Sequence, residues 1–220
     1  LLDLFWRGNL HETERLLNLL GIPVAVRFCR DSWERLGRGA APVTVSVNSS
    51  YASNVGECLG SVLFPDIPKT VDRLCAAFPD ADADAVLTEW QKAEEQMYYV
   101  CDKYLRKYTP PVVAVAAQEG YAVCAKRMME QYFGSDVPVV FARNRTAAEI
   151  PYSINSAEIS AAVREAEPDL ILGSTFEAAA CRKAAFFGIT PPDRSRVSVA
   201  ARPFAGVEGG LMLIEGALNA

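Results

Sequence analysis

The chain has 220 residues, of which 50% are apolar and 22% are charged, and its formal net charge is −5. These values are ordinary for a soluble globular protein with one large domain or two small ones. The negative charge gives no electrostatic reason to expect nucleic acid or an anionic membrane as a partner. The apolar runs have the length of strands and not of membrane spans, and no signal peptide opens the chain. We therefore expect a cytoplasmic protein, and the opening Leu1-Leu2-Asp3-Leu4 suggests a piece cut from a longer one.

The cysteines are scattered and do not form a recognisable metal-binding or disulfide pattern. No Cys-x-x-Cys pair occurs, and His11 is the single histidine; the six cysteines are Cys29, Cys58, Cys75, Cys101, Cys124 and Cys181. Zinc sites and disulfide frameworks normally show tighter clustering. We expect reduced thiols, several of them in the core, and no metal or iron–sulfur cluster bound by this segment alone.

The first half of the chain predicts alternating helices and strands. Asn9 is a candidate cap for a helix that ends at Gly21, with Glu12 at the capping-box position. The alternating β-branched residues at 43–47 are the clearest strand signal. The other predicted elements are a strand at 24–28, a short helix from Asp31 or Ser32 to Leu36, and helices at 69–78 and 85–108.

The second half begins after Pro110-Pro111, which stops the long helix. Its predicted strands lie at 112–116, 137–142, 170–172 and 197–200. Helices are predicted from the turn at 118–121 to Phe133, at 156–167 with Ser156 as the cap, from the turn after Gly173 through Phe187, and from Val207 onward. A strand–helix order throughout requires parallel strands. The predicted fold is therefore α/β, with two Rossmann-like parallel-sheet units and flanking helices. The first unit covers 1–109 and ends in the long helix; the second covers 110–220 and closes with a C-terminal helix.

Polar residues follow several of the predicted strands, where an open α/β sheet places its ligand. Gly173 permits a tight turn after the buried strand, and Ser174 or Thr175 can cap the next helix. Asn48, Ser49 and Tyr51 follow the strand at 43–47. These residue types hold ligands, but they are also typical of turns and caps, and the sequence leaves both interpretations open.

Candidate catalytic groups are few. Glu119 and Glu177 could act as acid and base at neighbouring strand ends. A carboxylate in the first turn of a helix is also stabilised by the helix dipole, and we favour that interpretation. No dinucleotide fingerprint, nucleotide-binding P-loop or nucleophile elbow occurs in the chain. The sequence therefore names no catalytic residue.

Taken together, several stretches resemble nitrogenase component 1 and its relatives. These relatives include cofactor-assembly scaffolds, dark-operative protochlorophyllide and chlorophyllide reductases, and nickel-sirohydrochlorin cyclase. The Pro-Asp-Leu…Gly-Ser pattern at 168–174, within 156–177, carries the strongest likeness. The other similar stretches are 14–24, 67–74, 97–105 with 112–115, and 206–213 with Asn219.

The resemblance implies the second and third domains of a three-domain oxidoreductase subunit. It also implies a second component 1-type subunit and an ATP-dependent reductase that supplies electrons. An iron–sulfur cluster or metallocofactor would belong to the full-length complex. The residues implied to line the cofactor or substrate cleft are Asn48, Ser49, Tyr51, Gln118, Gly120, Gly173, Ser174, Thr175 and Arg202.

The chain departs from molybdenum nitrogenase at both cofactor ligands. Asn48, Ser49 and Ser50 occupy the place of the cysteine ligand, and 194–204 contains no histidine. The resemblance therefore favours a paralogue that handles another metallocofactor or a tetrapyrrole, and not a dinitrogen-reducing enzyme. The alternatives are a metal-chelate or cobalamin-type binding module, which the Pro-Asp-Leu stretch and a long connecting helix also resemble, and a cofactor-assembly scaffold.

Overall fold

The computed structural model describes residues 6–27, 30–37, 42–47, 56–144, 150–195, 197 and 199–220. The chain forms two compact units. Unit 1 comprises Leu1–Ala93 and Ala200–Met212, and unit 2 comprises Glu94–Val199 and Leu213–Ala220. The predicted domain boundary between 109 and 110 stays a prediction, because compactness does not test which segments fold independently.

Unit 1 contains a small parallel sheet and several helices. Its elements are α1 (Asn9–Leu19), α2 (Trp33–Leu36), β1 (Val43–Ser46), β2 (Glu57–Ser61), a 3-10 turn (Phe64–Asp66), α3 (Ile67–Ala77), and the first parts of α4 (Asp84–Leu105) and α8 (Gly206–Leu218). Strands β1 and β2 are parallel, with an irregularity between Thr44 and Val45. Phe64 is 1% exposed and stacks on Trp90 with ring centroids 5.5 Å apart. The Trp90 indole also donates a hydrogen bond to the Phe64 carbonyl, at 3.0 Å.

Two predictions for unit 1 are wrong. Asn9 is the first helical residue and not the cap; Gly8 occupies the cap position, without a side-chain hydrogen bond. The Asn9 side chain instead accepts hydrogen bonds from the backbone N–H groups of Phe204 and Ala205. The strand predicted at 24–28 is absent at 24–27, and position 28 lies outside the described residues. Its apolar residues have no paired strand there to supply the ladder hydrogen bonds that a strand needs.

Unit 2 is organised around a four-stranded parallel sheet. Its elements are the remainder of α4, β3 (Val113–Ala117), α5 (Glu119–Met128), a π-helical turn (Met129–Phe133), β4 (Val139–Ala142), α6 (Ser156–Ala166), β5 (Leu170–Gly173), α7 (Thr175–Ala180), β6 (Ala185–Gly188) and the end of α8. The strand order is β4-β3-β5-β6, with every neighbouring pair parallel. All residues of β3 and β5 are buried, as central strands covered on both faces should be. The predicted α/β class with parallel sheets is confirmed.

The core of unit 2 forms where helix α6 packs on the sheet. Ile159 and Val163 of α6 are buried against Ala114, Val139 and Ile171 of the strands. The small alanine side chains of β3 leave room for these branched side chains, which is how a close-packed layer is built between helix and sheet. Among the described helices, none combines the length and the apolar character that crossing a membrane requires.

Three predictions for unit 2 differ from the structure. Helix α6 is capped by Asn155, whose side chain accepts from the Ala157 N–H at 3.0 Å, and not by Ser156. Helix α7 ends at Ala180, and the stretch that was predicted to continue it to Phe187 forms β6. The alanines around this stretch favour a helix locally, but pairing of Phe186 and Phe187 with Ile171 and Leu172 of β5 outweighs that preference. The strand predicted at 197–200 is absent at its described positions.

Candidate functional site

The carboxyl edge of the unit 2 sheet contains a topological switch point. After β3 the chain adds β4 on one side, and it then crosses to add β5 and β6 on the other. The turns that follow β3 and β5 therefore lead away from each other at the ends of these two strands. Open parallel sheets bind their ligands at such a place. The residues after β3 and β5 are thus the first to consider as a site.

The turn after β5 is held by Glu177, which is 1% exposed. One carboxylate oxygen of Glu177 accepts from the Ser174 N–H at 2.7 Å and from the Ser174 hydroxyl at 2.6 Å. Ser174 in turn caps α7 by accepting from the Phe176 N–H. A Cβ atom on Gly173 would lie 3.1 Å from that same Glu177 oxygen, so glycine permits the close approach. This is a capping box, with Ser174 as the cap, which is one of the two cap residues that the sequence left open.

The other carboxylate oxygen of Glu177 forms an ion pair with a guanidinium N–H of Arg143, the first residue after β4. The Arg143 backbone N–H also donates to the carbonyl of Ala117, the last residue of β3, at 2.8 Å. Sequence reasoning missed Arg143. The available signal was its position directly after a predicted strand, the same signal that singled out Ser174.

Further side-chain hydrogen bonds tie the remaining turns of this edge together. The Thr190 hydroxyl, after β6, donates to the Gln118 side-chain carbonyl at 2.9 Å. The Asn144 side chain, after β4, accepts from the Glu119 N–H at 2.7 Å. The Thr175 hydroxyl accepts from the Arg194 N–H at 2.9 Å, and the Thr175 N–H donates to the Pro192 carbonyl. Four strand ends are therefore joined into one polar rim that is ordered by its own hydrogen bonds.

The structure brings five of the predicted site residues to this rim: Gln118, Gly120, Gly173, Ser174 and Thr175. Gly120 is the second residue of α5. Arg202 belongs to unit 1, where its side chain is exposed and its carbonyl accepts from the Gly8 N–H at 3.2 Å. Asn48, Ser49 and Tyr51 lie outside the described residues. A ligand-binding role for each of these residues stays a prediction.

Two of the cysteines in the described part of the chain are core residues. Cys101 and Cys124 are buried, and burial raises the pKa of the Cys101 thiol to about 12. A thiol with such a pKa is protonated at neutral pH. No group of three or more His, Cys, Asp or Glu side chains is arranged to hold a metal ion in the ranges that the structure describes.

Comparison with known proteins identifies the fold. No protein-family model and no curated protein matches the chain. A solved structure titled "Nitrogenase Cp1 at pH 6.5" matches over 97% of this chain with a TM-score of 0.66. The chain has a nitrogenase-like fold. The sequence identity is 14%, so the likeness concerns the fold alone, and this chain spans 57% of the length of that nitrogenase chain.

Proposed function

We propose that the chain is part of an oxidoreductase subunit of the nitrogenase component 1 type. In this proposal a reductase partner supplies electrons, a second component 1-type subunit completes the complex, and the protein works in the cytoplasm. The observation that carries the proposal is the nitrogenase-like fold, which extends over 97% of the chain. The resemblance of the stretches 14–24, 67–74 and 156–177 supports it from the sequence. Fold alone does not define an activity, so the site must supply the rest.

The rim of unit 2 supports a role in holding a polar ligand. Gln118, Ser174 and Thr175 are fixed by hydrogen bonds to neighbouring turns, so their positions are set before a ligand arrives. Such preorganisation lowers the entropic cost of binding. We propose that Gln118 and Thr175 contact the edge of a metallocofactor or of a tetrapyrrole-like substrate, while Ser174, which is 0% exposed, holds the turn in place. The iron–sulfur centre that transfers the electrons would be held outside the described residues of this chain.

The proposal does not include dinitrogen reduction. Asn48, Ser49 and Ser50 replace the cysteine ligand that the resemblance would require, and 194–204 contains no histidine. Amide and hydroxyl groups suit the oxygen-rich or nitrogen-rich edge of a substrate and are poor ligands for iron in a sulfide cluster. A tetrapyrrole or another metallocofactor is therefore the proposed ligand.

The test is to measure iron and acid-labile sulfide in the protein as its gene encodes it, purified without oxygen. We expect several iron and sulfide atoms per protein and an absorption band that bleaches on reduction. A colourless protein without iron would overturn the oxidoreductase proposal. Such a protein would instead act as a non-catalytic metal-chelate or cobalamin-type binding module, or as an assembly scaffold. Binding of tetrapyrroles and metal chelates would then be the next measurement.

A further inference from the structure

We propose that Arg143 binds an oxyanion group of the ligand at the rim of unit 2, with Glu177 as the anchor of the Arg143 side chain. The oxyanion is a carboxylate or a phosphate. This inference rests on the proposed function in one respect, namely that the rim is the ligand site. It adds a residue for which neither the sequence nor the fold likeness predicts a role.

The first argument is the place of the ion pair in the sheet. Arg143 follows β4 and Glu177 lies in α7, directly after β5, while β4 and β5 flank β3 on opposite sides. The ion pair between Arg143 and Glu177 therefore bridges the carboxyl end of the central strand. That end lies at the switch point of the sheet. A positive charge at this position faces the place where open parallel sheets bind ligands.

The second argument is the number of N–H donors on the Arg143 guanidinium that Glu177 leaves unoccupied. Both oxygens of Glu177 are occupied, one by Arg143 and the other by the N–H and hydroxyl of Ser174. The Arg143 Nε–H is buried and has no hydrogen-bond partner. A guanidinium has five N–H donors and stays charged at any relevant pH, so a buried N–H without an acceptor is costly. The other guanidinium N–H groups that Glu177 does not occupy are the ones that an oxyanion oxygen can reach.

The third argument is that this guanidinium is ordered and can still be reached. The Arg143 side chain is 18% exposed, whereas the Glu177 side chain is 1% exposed. Glu177 therefore stays in place while Arg143 meets the solvent. Charge-assisted hydrogen bonds from a fixed guanidinium to a carboxylate or phosphate are both strong and directional. Glu177 also offsets part of the positive charge, so it limits the affinity for an anion.

The test uses the 220-residue chain without any cofactor, with inorganic phosphate and succinate as separate probes. The Nε–H resonances of arginine side chains are followed by NMR as each probe is added. We expect a saturable shift of the Arg143 resonance. Arg143→Lys removes the Nε–H and should weaken binding at least tenfold. Glu177→Gln keeps a capping partner for Ser174 but removes the competing charge, so it should tighten binding several-fold.

The matched control is Arg106→Lys, because Arg106 also binds a carboxylate, that of Asp102, but on the exposed face of α4. This variant should bind both probes like the parent chain. A response to phosphate alone or to succinate alone tells which oxyanion the site prefers, and either supports the proposal. The absence of a saturable shift, or equal affinities in all variants, would overturn it.

The two variants are expected to change the affinity in opposite directions, and this distinguishes oxyanion binding from a purely structural role of the ion pair. Loss of packing would make both variants bind worse, whereas oxyanion binding predicts that Glu177→Gln binds better. If Arg143→Lys does not fold, as judged by circular dichroism, the Glu177→Gln affinity alone decides: tighter binding supports the proposal, and unchanged or weaker binding overturns it. The outcome is independent of iron content, so failure of the oxidoreductase proposal would be recognised separately.

Discussion

Asn9 shows how one side chain can hold two distant segments together. Its amide oxygen accepts hydrogen bonds from the N–H groups of Phe204, at 2.6 Å, and Ala205, at 2.9 Å; Phe204 lies 195 residues further along the chain. Asn9 itself is only 4% exposed. Both N–H groups lie just before α8, where the helix offers no carbonyl to accept from them. Asn9 therefore supplies the capping acceptor for α8 from another helix.

Replacement of Asn9 by alanine should destabilise the protein by about 2 kcal/mol or more, because two buried donors lose their acceptor. The measurement is the free energy of unfolding in urea, followed by circular dichroism. Asn18→Ala is the control: Asn18 lies on the same helix but is exposed, and its replacement should change the free energy by less than about 0.5 kcal/mol. Equal effects of the two substitutions would contradict the capping role of Asn9.

Glu177 is a second residue whose role depends on its partners. The sequence left two interpretations of this carboxylate open, acid–base chemistry and a place in the first turn of a helix. Both of its oxygens are engaged in the structure, with Ser174 and with Arg143. An acid or base must exchange a proton with a substrate within hydrogen-bond reach, and a carboxylate that is occupied in this way is better suited to anchoring.

At the scale of elements, helix α8 depends on glycine. A Cβ atom on Gly210 would lie 2.5 Å from ring atoms of Phe64 in unit 1, and one on Gly216 would lie 2.1 Å from ring atoms of Phe187 in unit 2. Glycine is unfavourable inside a helix by roughly 1 kcal/mol relative to alanine. Here the absent side chains admit two aromatic rings, and burying an aromatic ring offsets that cost.

Helix α6 provides a test of the observed cap against the predicted one. Asn155→Ala should cost about 1 kcal/mol of stability, because the Ala157 N–H loses the acceptor that starts the helix. Ser156→Ala should change the stability by less than about 0.5 kcal/mol, since Ser156 is an exposed residue of the first helical turn. Thermal unfolding of both variants measures the difference. A larger effect of Ser156→Ala would contradict the cap assignment.

At the scale of the whole molecule, the burial of a thiol and a phenol makes the free energy of unfolding depend on pH. Burial raises the pKa of the Cys101 thiol from its ordinary value of 9.0 to about 12. Burial, and then the nearby Glu94 carboxylate, also raises the pKa of the Tyr132 phenol. Both groups are neutral in the folded protein and ionise more readily once the chain unfolds. The unfolded state therefore gains stability in alkali.

The free energy of unfolding should consequently fall as the pH rises from about 9 to about 12, and it should be unaffected by Cys101 below pH 9. Urea unfolding at a series of pH values measures this slope. Cys101→Ala removes the thiol proton and should make the slope shallower, whatever its effect on stability at neutral pH. Identical slopes for the parent chain and the variant would show that Cys101 ionises equally in both states.

Much of the fold could be predicted from the sequence because the responsible signals are local. The alternation at 43–47 and the apolar run at 170–172 predict β1 and β5, and Pro110-Pro111 marks the end of the long helix α4. The end of the strand at 170–172 predicts Gly173 and Ser174 as part of a polar edge, and the family resemblance adds Gln118. Turns and caps depend on a few adjacent residues, so their chemistry is visible in the order of the residues.

Other features were decided only by the tertiary structure. The helix-favouring stretch before Gly188 became β6 because β5 offers it a ladder of hydrogen bonds, whereas no strand of the described ranges pairs with 24–27. Arg143 meets Glu177 across 34 residues, and Asn9 meets Phe204 across 195. The free energy of such contacts depends on which segments the fold brings together. The conformational preferences of individual residues do not reveal it.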